Sequence, residues 1–166
     1  MTEAIGITPA EWRAAMGYFP SGVTIATSWI DDIAVGSTVS SFCSVSLDPP
    51  LLLICLSEIN PLLAPIRKCG VFGVNILGAD GHPIAMRFSA QHRARAEFKA
   101  DEYRRVETGA PRLLAAPVFI DCVVEDAHQA GDHTVVIGRG VRTVHQSAKS
   151  PLLYHKGKFP NFEPIG

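Results

Sequence analysis

The sequence predicts a mainly β protein in which an antiparallel barrel carries a few helices on its outside. Short runs of β-branched or apolar residues recur along the chain, and clusters of Gly, Pro, Asn and Asp separate them. These runs do not alternate with helical patterns, as they would in a doubly wound parallel sheet. Many short strands without βα units are typical of antiparallel sheets that close into barrels.

Length and charge limit the possible organisation. The chain has 166 residues, 47% of them hydrophobic, and a formal net charge of -1, so we predict a single domain over residues 1–166. The chain has no excess of Lys and Arg of the kind that binds the phosphates of nucleic acids. No apolar run reaches the roughly 18 residues of a membrane-spanning helix. The start, Met1-Thr2-Glu3, lacks the basic and apolar segments of a signal peptide. We therefore expect a cytoplasmic location.

Local signals predict the elements of the N-terminal half. Thr8, Pro9 and Glu11 match a capping box with proline in the first helical turn, which predicts a helix to about Met16. A turn is expected at Asp31-Asp32. The run at 51–56 is continuously apolar, as expected for a strand covered on both faces. β-branched or apolar stretches indicate strands at 23–28, within 33–46, and at 51–56.

The second half begins with a framed helix and returns to strands. Asn60 and Pro61 supply an N-cap and a first-turn proline, and Gly70 supplies a stop. Charged residues are concentrated between Pro83 and Val106, where helix and exposed loop are expected. Further strands are predicted at 71–77, 118–124, 134–142 and 152–155.

The four cysteines show no metal-binding spacing. Cys43, Cys55, Cys69 and Cys122 form no C-x-x-C pair, and each lies in or beside apolar sequence. Because a cytosol keeps thiols reduced, buried free thiols are the expectation. The six histidines form no tight ligand cluster, and we predict no metal site.

A hydroxyl-rich segment is the first candidate for function. Six of the eleven residues from Gly36 to Ser46 are Ser or Thr. Strand alternation would place Ser40, Ser44 and Ser46 on one face with Thr38 and Phe42, where several donors could converge on one oxyanion. The alternative is a strand pair that carries its hydroxyls on a solvent face.

A second candidate is the segment Gly131-Asp132-His133-Thr134, which leads directly into an apolar strand. As a turn signal it predicts a hairpin corner with an exposed histidine. Alternatively, His133 lies at a pocket mouth and hydrogen-bonds a carboxamide or stacks on a flat ring. The glycines at 138 and 140 do not form a dinucleotide fingerprint, because they open no helix. A chain with neither an acid–base pair nor a nucleophile motif can still be an enzyme if a cofactor carries the difficult chemistry.

Several segments, in this order, carry a family resemblance: 19–25, 38–51, 72–77, 87–89, 131–134 and 151–159. Together they resemble the short-chain NAD(P)H:flavin oxidoreductases, FMN-binding split-barrel reductases that serve two-component monooxygenases. The resemblance implies a Greek-key split β-barrel and a homodimer with flavin near the dimer interface. It further implies hydride transfer from NADH or NADPH to FMN or FAD, with NADH favoured, and delivery of reduced flavin to a partner monooxygenase.

The resemblance also implies roles for particular residues. Thr38 to Ser41 would cradle the polar edge and ribityl chain of the flavin, and Ser44 to Ser46 would contact its phosphate. His133 matches the nicotinamide-side histidine, the one residue given a catalytic role, and Tyr154 approaches that nucleotide. Val39 replaces a polar residue common in the family. The full set for cofactor binding is Gly36, Ser37, Thr38, Val39, Ser40, Ser41, Ser44, Val45, Ser46, Cys55, Leu56, Ser57, Asn60, Asn75, Phe88, Ser89, His133 and Tyr154.

Two other functions fit the same sequence. One is a flavin-binding electron carrier or oxidase of the same fold, without nicotinamide reductase activity. The other is a structural dimer whose serine-rich strand is a solvated face. Oxidation of NADH or NADPH with added flavin separates the first from a reductase, and flavin binding separates the second.

Overall fold

The computed structural model describes residues 6–89, 98–146 and 150–162. The helices are α1 (Pro9–Met16), α2 (Leu63–Cys69) and α3 (His82–Arg87), with a short 3-10 helix at Ala79–Gly81. The strands are β1 (Ser21–Gly22), β2 (Thr24–Ile30), β3 (Ile33–Val39), β4 (Phe42–Leu47), β5 (Pro50–Ser57), β6 (Val71–Ile76), β7 (Tyr103–Arg105), β8 (Pro111–Leu113), β9 (Val118–Ala130), β10 (His133–His145) and β11 (Leu153–Tyr154). The predicted mainly β class is confirmed.

A seven-stranded antiparallel sheet forms the barrel, in the order β3-β2-β6-β9-β10-β5-β4. The two edge strands, β3 and β4, are consecutive in the chain and only Ser40 and Ser41 join them. The sheet must therefore curl until its edges approach at this corner. Two small ribbons, β1–β11 and β7–β8, lie outside the main sheet.

Two apolar clusters build the core on opposite faces of the sheet. One cluster joins inward residues of the barrel strands, such as Ile54, Phe72 and Val136, to residues of α2, such as Ile66. The other packs α3 and the β7–β8 region against β2 through residues such as Ile25. Strands β2 and β6 are therefore covered on both faces. Strand β5, predicted to be so covered, buries only alternate residues.

The helix signals are confirmed at three of four ends. Thr8 and Glu11 form the reciprocal capping box, and α1 ends at Met16. Gly70 ends α2 with φ of 68°, in the left-handed region. The predicted start of α2 is wrong, because the Asn60 side chain does not cap it: its Oδ1 accepts from the Leu62 N–H at 2.9 Å and holds a turn before the helix.

The strand limits differ where sequence alternation is weak. Strands β9 and β10 extend well beyond the predicted 118–124 and 134–142, since each pairs its polar half with the other. The charged segment 83–106 contributes α3 and β7, and its residues 90–97 lie outside the described part. An ion pair connects the two sides of this gap: Arg87 Nη1 lies 2.7 Å from Glu102 Oε1 and lowers the pKa of that carboxyl to about 2.

All four cysteines are free thiols, but the prediction that they are buried is wrong for two of them. Cys122 is buried and Cys55 half-buried, whereas Cys43 and Cys69 are exposed. Among the described residues, no helix is long and apolar enough to cross a membrane, and no cluster of three potential metal ligands occurs.

Two glycines of β10 provide a matched test of barrel packing. A Cβ on Gly138 would lie 2.4 Å from Cζ of buried Phe72, whereas one on Gly140 would meet no atom closer than 3.6 Å. We predict that Gly138→Ala lowers the free energy of unfolding by about 1–3 kcal/mol, because the ring must move. Gly140→Ala is the control, with a change within about 0.5 kcal/mol. Equal effects in urea denaturation would contradict this packing.

Candidate functional site

A groove of about 820 Å³ runs along the barrel beside the corner that joins β3 and β4. The outer face of β4 and β5 forms its floor, through residues such as Cys43, Leu53 and Cys55. Two walls rise from this floor: one is α1, and the other is the β1–β11 ribbon with the turn that follows it. The lining residues are Arg13, Met16, Gly17, Phe19, Pro20, Ser21, Gly22, Ser40, Ser41, Phe42, Cys43, Leu53, Cys55, Tyr154, Lys156 and Gly157.

The corner presents two hydroxyl groups to this groove. The Phe42 N–H donates to the Ser40 carbonyl at 3.0 Å, and the Cys55 N–H donates to the Ser41 carbonyl at 3.0 Å. These backbone bonds fix the corner, and both serines are exposed. Within the described part of the chain, neither hydroxyl takes a protein partner, so both are free for a ligand.

The floor of the groove is neutral and largely apolar. Leu53 and Cys55 are half-buried on the outer face of β5. Burial raises the pKa of the Cys55 thiol, so this group stays protonated and uncharged. Such a surface suits one face of a flat, uncharged ring, while the corner hydroxyls suit polar atoms at the edge of that ring.

His133 lies on the same sheet face as the floor. It is the first residue of β10 and pairs with Ser57, while Val135 pairs with Cys55 one step inward. Strand alternation therefore directs the side chains of His133 and Ser57 to the side of Cys55. The imidazole is partly exposed, so one of its nitrogens is available to a ligand at the end of the groove.

Several contacts hold His133 in place. Its Nδ1 lies 2.8 Å from Oδ1 of Asp132. This bond lowers the pKa of the Asp132 carboxyl, and the nearby positive charge of Arg13 adds to the effect. The neighbouring Thr134 is buried: its hydroxyl accepts from Arg67 Nη2 at 2.9 Å and donates to the Glu58 carboxylate. The hairpin corner is thereby connected to both β5 and α2.

The hydroxyls farther along β4 lie elsewhere. Ser44 and Ser46 line a second groove of about 410 Å³ together with Arg142. The prediction that Ser44 and Ser46 share one face is wrong, because a bulge at Val45 intervenes. Ser44 pairs with Leu52, whose side chain points into the core, whereas Ser46 pairs with Leu51, whose side chain points outward. Phe42 lines both grooves, so they are adjacent along the strand.

Most of the remaining predicted residues lie inside the protein. Thr38 donates from its hydroxyl to the Ala85 carbonyl at 2.5 Å, and the Ser37 hydroxyl accepts from the Asn60 amide at 3.0 Å. Asn75 is fully buried, and its amide bonds Ile25, Thr27 and Leu113. Each of these polar side chains is thus used by the fold. Leu56, Val39, Phe88, Gly36 and Ser89 likewise lie away from the groove lining, the first three in the core.

The groove thus collects only some of the predicted residues, namely Ser40, Ser41, Cys55 and Tyr154, with His133 and Ser57 beside it. Arg13, Met16 and Gly17 were not predicted, although helical spacing places them on one face of α1. Lys156 was also missed. No local signal identifies these walls, because they depend on the long-range pairing of β1 with β11.

Comparison with known proteins gives the family. A model described as a flavin reductase like domain matches residues 16–163 of this chain. The chain belongs to the flavin reductase family. An NADH-dependent flavin reductase of a Rhodococcus species is 38% identical over 175 residues, which cover 100% of this chain and 96% of that family member.

Other members of the flavin reductase family extend the similarity to enzyme systems and solved structures. The reductase subunit HsaB of a flavin-dependent monooxygenase from Rhodococcus jostii is 34% identical and covers 97% of this chain and 82% of its own length. The structure of the Streptomyces globisporus NADH:FAD oxidoreductase SgcE6 with NAD and FAD fragments has a TM-score of 0.86. It shares 30% identity, with 97% of this chain and 98% of that chain covered. These similarities confirm the resemblance and the split-barrel fold.

Proposed function

We propose that this protein is an NADH-dependent flavin reductase that supplies reduced flavin to a separate monooxygenase. The observation that carries the proposal is the juxtaposition of three features on one sheet face: the hydroxyls of Ser40 and Ser41, which no group among the described residues engages, a neutral floor at Leu53 and Cys55, and His133. Relatives named as NADH-dependent flavin reductases and as monooxygenase reductase subunits support the same activity.

The residues of the groove fit a flavin. Ser40 and Ser41 offer hydrogen bonds to the polar edge of the ring, and Leu53 and Cys55 offer a surface for one ring face. A bound flavin supplies the hydride-accepting chemistry, which no side chain of the site possesses. The task of these residues is positioning, since reacting atoms must approach to about 3–3.5 Å.

On this proposal, His133 orients the nicotinamide. The carboxylate of Asp132 holds the Nδ1 side of the imidazole at 2.8 Å and leaves the other nitrogen for the carboxamide of the nucleotide. Contacts of Thr134 with Glu58 and Arg67 keep the start of β10 rigid. This arrangement supports the proposal that His133 offers a hydrogen bond to the second substrate over the exposed face of a bound ring.

The first test is anaerobic NADH oxidation by purified protein with FMN or FAD, followed by the loss of NADH absorbance. We predict flavin-dependent turnover in the wild type. His133→Ala should raise KM for NADH about five- to tenfold, the value of one lost hydrogen bond, while flavin affinity changes little.

Two outcomes would contradict this assignment. Selective loss of flavin binding in His133→Ala would move this residue to the flavin side of the site. Flavin binding without NADH oxidation in the wild type would favour an electron carrier or an oxidase. His145→Ala is the matched control, because this exposed histidine lies at the opposite end of β10 and lines neither groove.

A second test locates the flavin through the thiols. Cys43 is exposed in the groove, whereas Cys69 is exposed at the end of α2, outside the groove lining. We predict that saturating FMN slows alkylation of Cys43 at least about tenfold, because bound ligand removes its accessible surface. The alkylation rate of Cys69 serves as the internal control. Equal rates with and without FMN, measured by mass spectrometry, would place the flavin elsewhere.

A homodimer is part of the proposal. Leu47 is 93% exposed, and Val45 and Val141 are exposed as well, so the end of β4 and the adjoining part of β10 present apolar side chains to solvent. Such surfaces are typical of interfaces between subunits, and a second copy would cover them.

We predict that the wild type has twice the mass of one chain in light scattering. Leu47→Asp should shift the protein toward the monomer, because a charge would be buried in an apolar interface. Ile33→Asp is the matched control at the opposite edge strand, where the side chain is also exposed. A monomeric wild type, or a dimer unaffected by Leu47→Asp, would contradict an interface at this surface.

Three further points remain proposals. The partner monooxygenase that receives reduced flavin is inferred from relatives named as reductase components. A cytoplasmic location is supported by four free thiols, which a reducing compartment would preserve. The phosphate role proposed for Ser44 and Ser46 fits the second groove, where Arg142 provides a positive charge.

A further inference from the structure

One end of the main groove carries positive charge. Arg13 projects from α1 and Lys156 from the turn after β11, and both line the groove. No Asp or Glu belongs to this lining within the described part of the chain. Two cations without a lining acid favour an anionic group of a ligand, and Arg is well suited to bind phosphate.

The backbone at Lys156 points to a specific role for this lysine. Lys156 has φ of 48° and Gly157 has φ of 76°, and they form the tip of a two-residue hairpin between His155 and Lys158. Such turns favour Asn, Asp or Gly at both central positions, so lysine is a strained choice. Strained residues persist when the surroundings hold them, and they concentrate at binding sites.

Contacts with the end of α1 hold Lys156 against this strain. Its N–H donates to the Gly17 carbonyl at 3.1 Å, and its ammonium lies 3.3 Å from the centre of the Tyr18 ring. The ammonium group of Lys156 therefore lies beside the wall formed by α1. Arg13 belongs to the same wall, three residues before the helix ends at Met16. Both cations thus line the same part of the groove, beside α1.

An exposed aromatic ring completes this end of the groove. Phe19 lines the groove and is 73% exposed. An exposed ring beside cations is a stacking platform for a nucleobase, a contact that depends on the flat face of the base. Arg13 also acts on the charge of Asp132, the neighbour of His133. Arg13 therefore contributes to the electrostatic environment of the Asp132–His133 pair.

We propose that Arg13, Lys156 and Phe19 form a subsite for the ADP half of a dinucleotide, with the diphosphate between the two cations and the adenine on Phe19. The inference rests on the proposed function, in which two substrates, NADH and FAD, contain this group. FMN and reduced nicotinamide mononucleotide lack it.

Binding of ADP itself tests the subsite without reference to turnover. In titration calorimetry we expect the wild type to bind ADP, and Lys156→Asn and Phe19→Leu to weaken this binding about tenfold each, as loss of a charge-assisted contact or of a base stack would. Lys158→Asn is the matched control, because Lys158 is exposed in the same hairpin but does not line the groove. Absence of ADP binding by the wild type, or equal losses in Lys158→Asn, would overturn the subsite.

The Lys156→Asn variant also separates binding from folding. Asn tolerates the left-handed region, so this change should leave the melting temperature unchanged or raise it while ADP binding falls. A purely structural role for Lys156 predicts the reverse, namely a lower melting temperature and unchanged ADP binding. Phe19→Leu keeps an apolar side chain and provides the second, independent variant.

Kinetics with four substrate pairs identify the source of the ADP half. FMN or FAD is combined with NADH or reduced nicotinamide mononucleotide, and KM is compared between the wild type and Lys156→Asn. A rise for NADH but not for the mononucleotide assigns the subsite to NADH, and a rise for FAD but not for FMN assigns it to the flavin. Equal rises for substrates without ADP would overturn the inference. If the wild type oxidises no pair, the proposed function fails, and ADP calorimetry still decides the subsite.

Discussion

The structure depends on one topological constraint: the two edge strands of the seven-stranded sheet, β3 and β4, are consecutive in the chain. Because only Ser40 and Ser41 join them, the sheet must curl until its edges meet. A hydrogen bond from the Cys55 N–H to Ser41, and another from the Asn60 amide to Ser37, hold this junction. The residues that close the barrel are therefore the same residues that stand beside the groove, so the site forms only when the fold is complete.

This constraint explains why one hydroxyl-rich segment has three different tasks. On β3, Ser37 and Thr38 bind protein groups and attach the strand to the turn before α2 and to α3. At the corner, Ser40 and Ser41 turn away from the core and keep their hydroxyls for a ligand. On β4, Ser44 and Ser46 line the second groove, and the bulge at Val45 changes the register between them. Similar side chains thus serve packing or binding according to the direction of the backbone.

The sequence predicts those features that local chemistry determines. The capping box at Thr8, the left-handed stop at Gly70 and the hairpin corner at Gly131 each need only a few neighbouring residues. The family resemblance adds the barrel, which is confirmed, and a nicotinamide-side role for His133, which stays a prediction. The groove walls escape such reasoning, because Lys156 reaches α1 only through the pairing of β1 with β11. The bulge at Val45 escapes it too, because it is visible only in the register between β4 and β5.

The two sides of the groove differ in how firmly they are attached. The floor belongs to the central sheet, where Leu53 and Cys55 lie between paired strands on both sides. The α1 wall buries none of its residues and contacts the rest of the protein through the Lys156 turn. Elements with little buried surface open at low cost in free energy. A reaction between two rings needs a rigid floor, whereas the exchange of a dissociable nucleotide needs a wall that can open, so the distribution of stability matches both requirements.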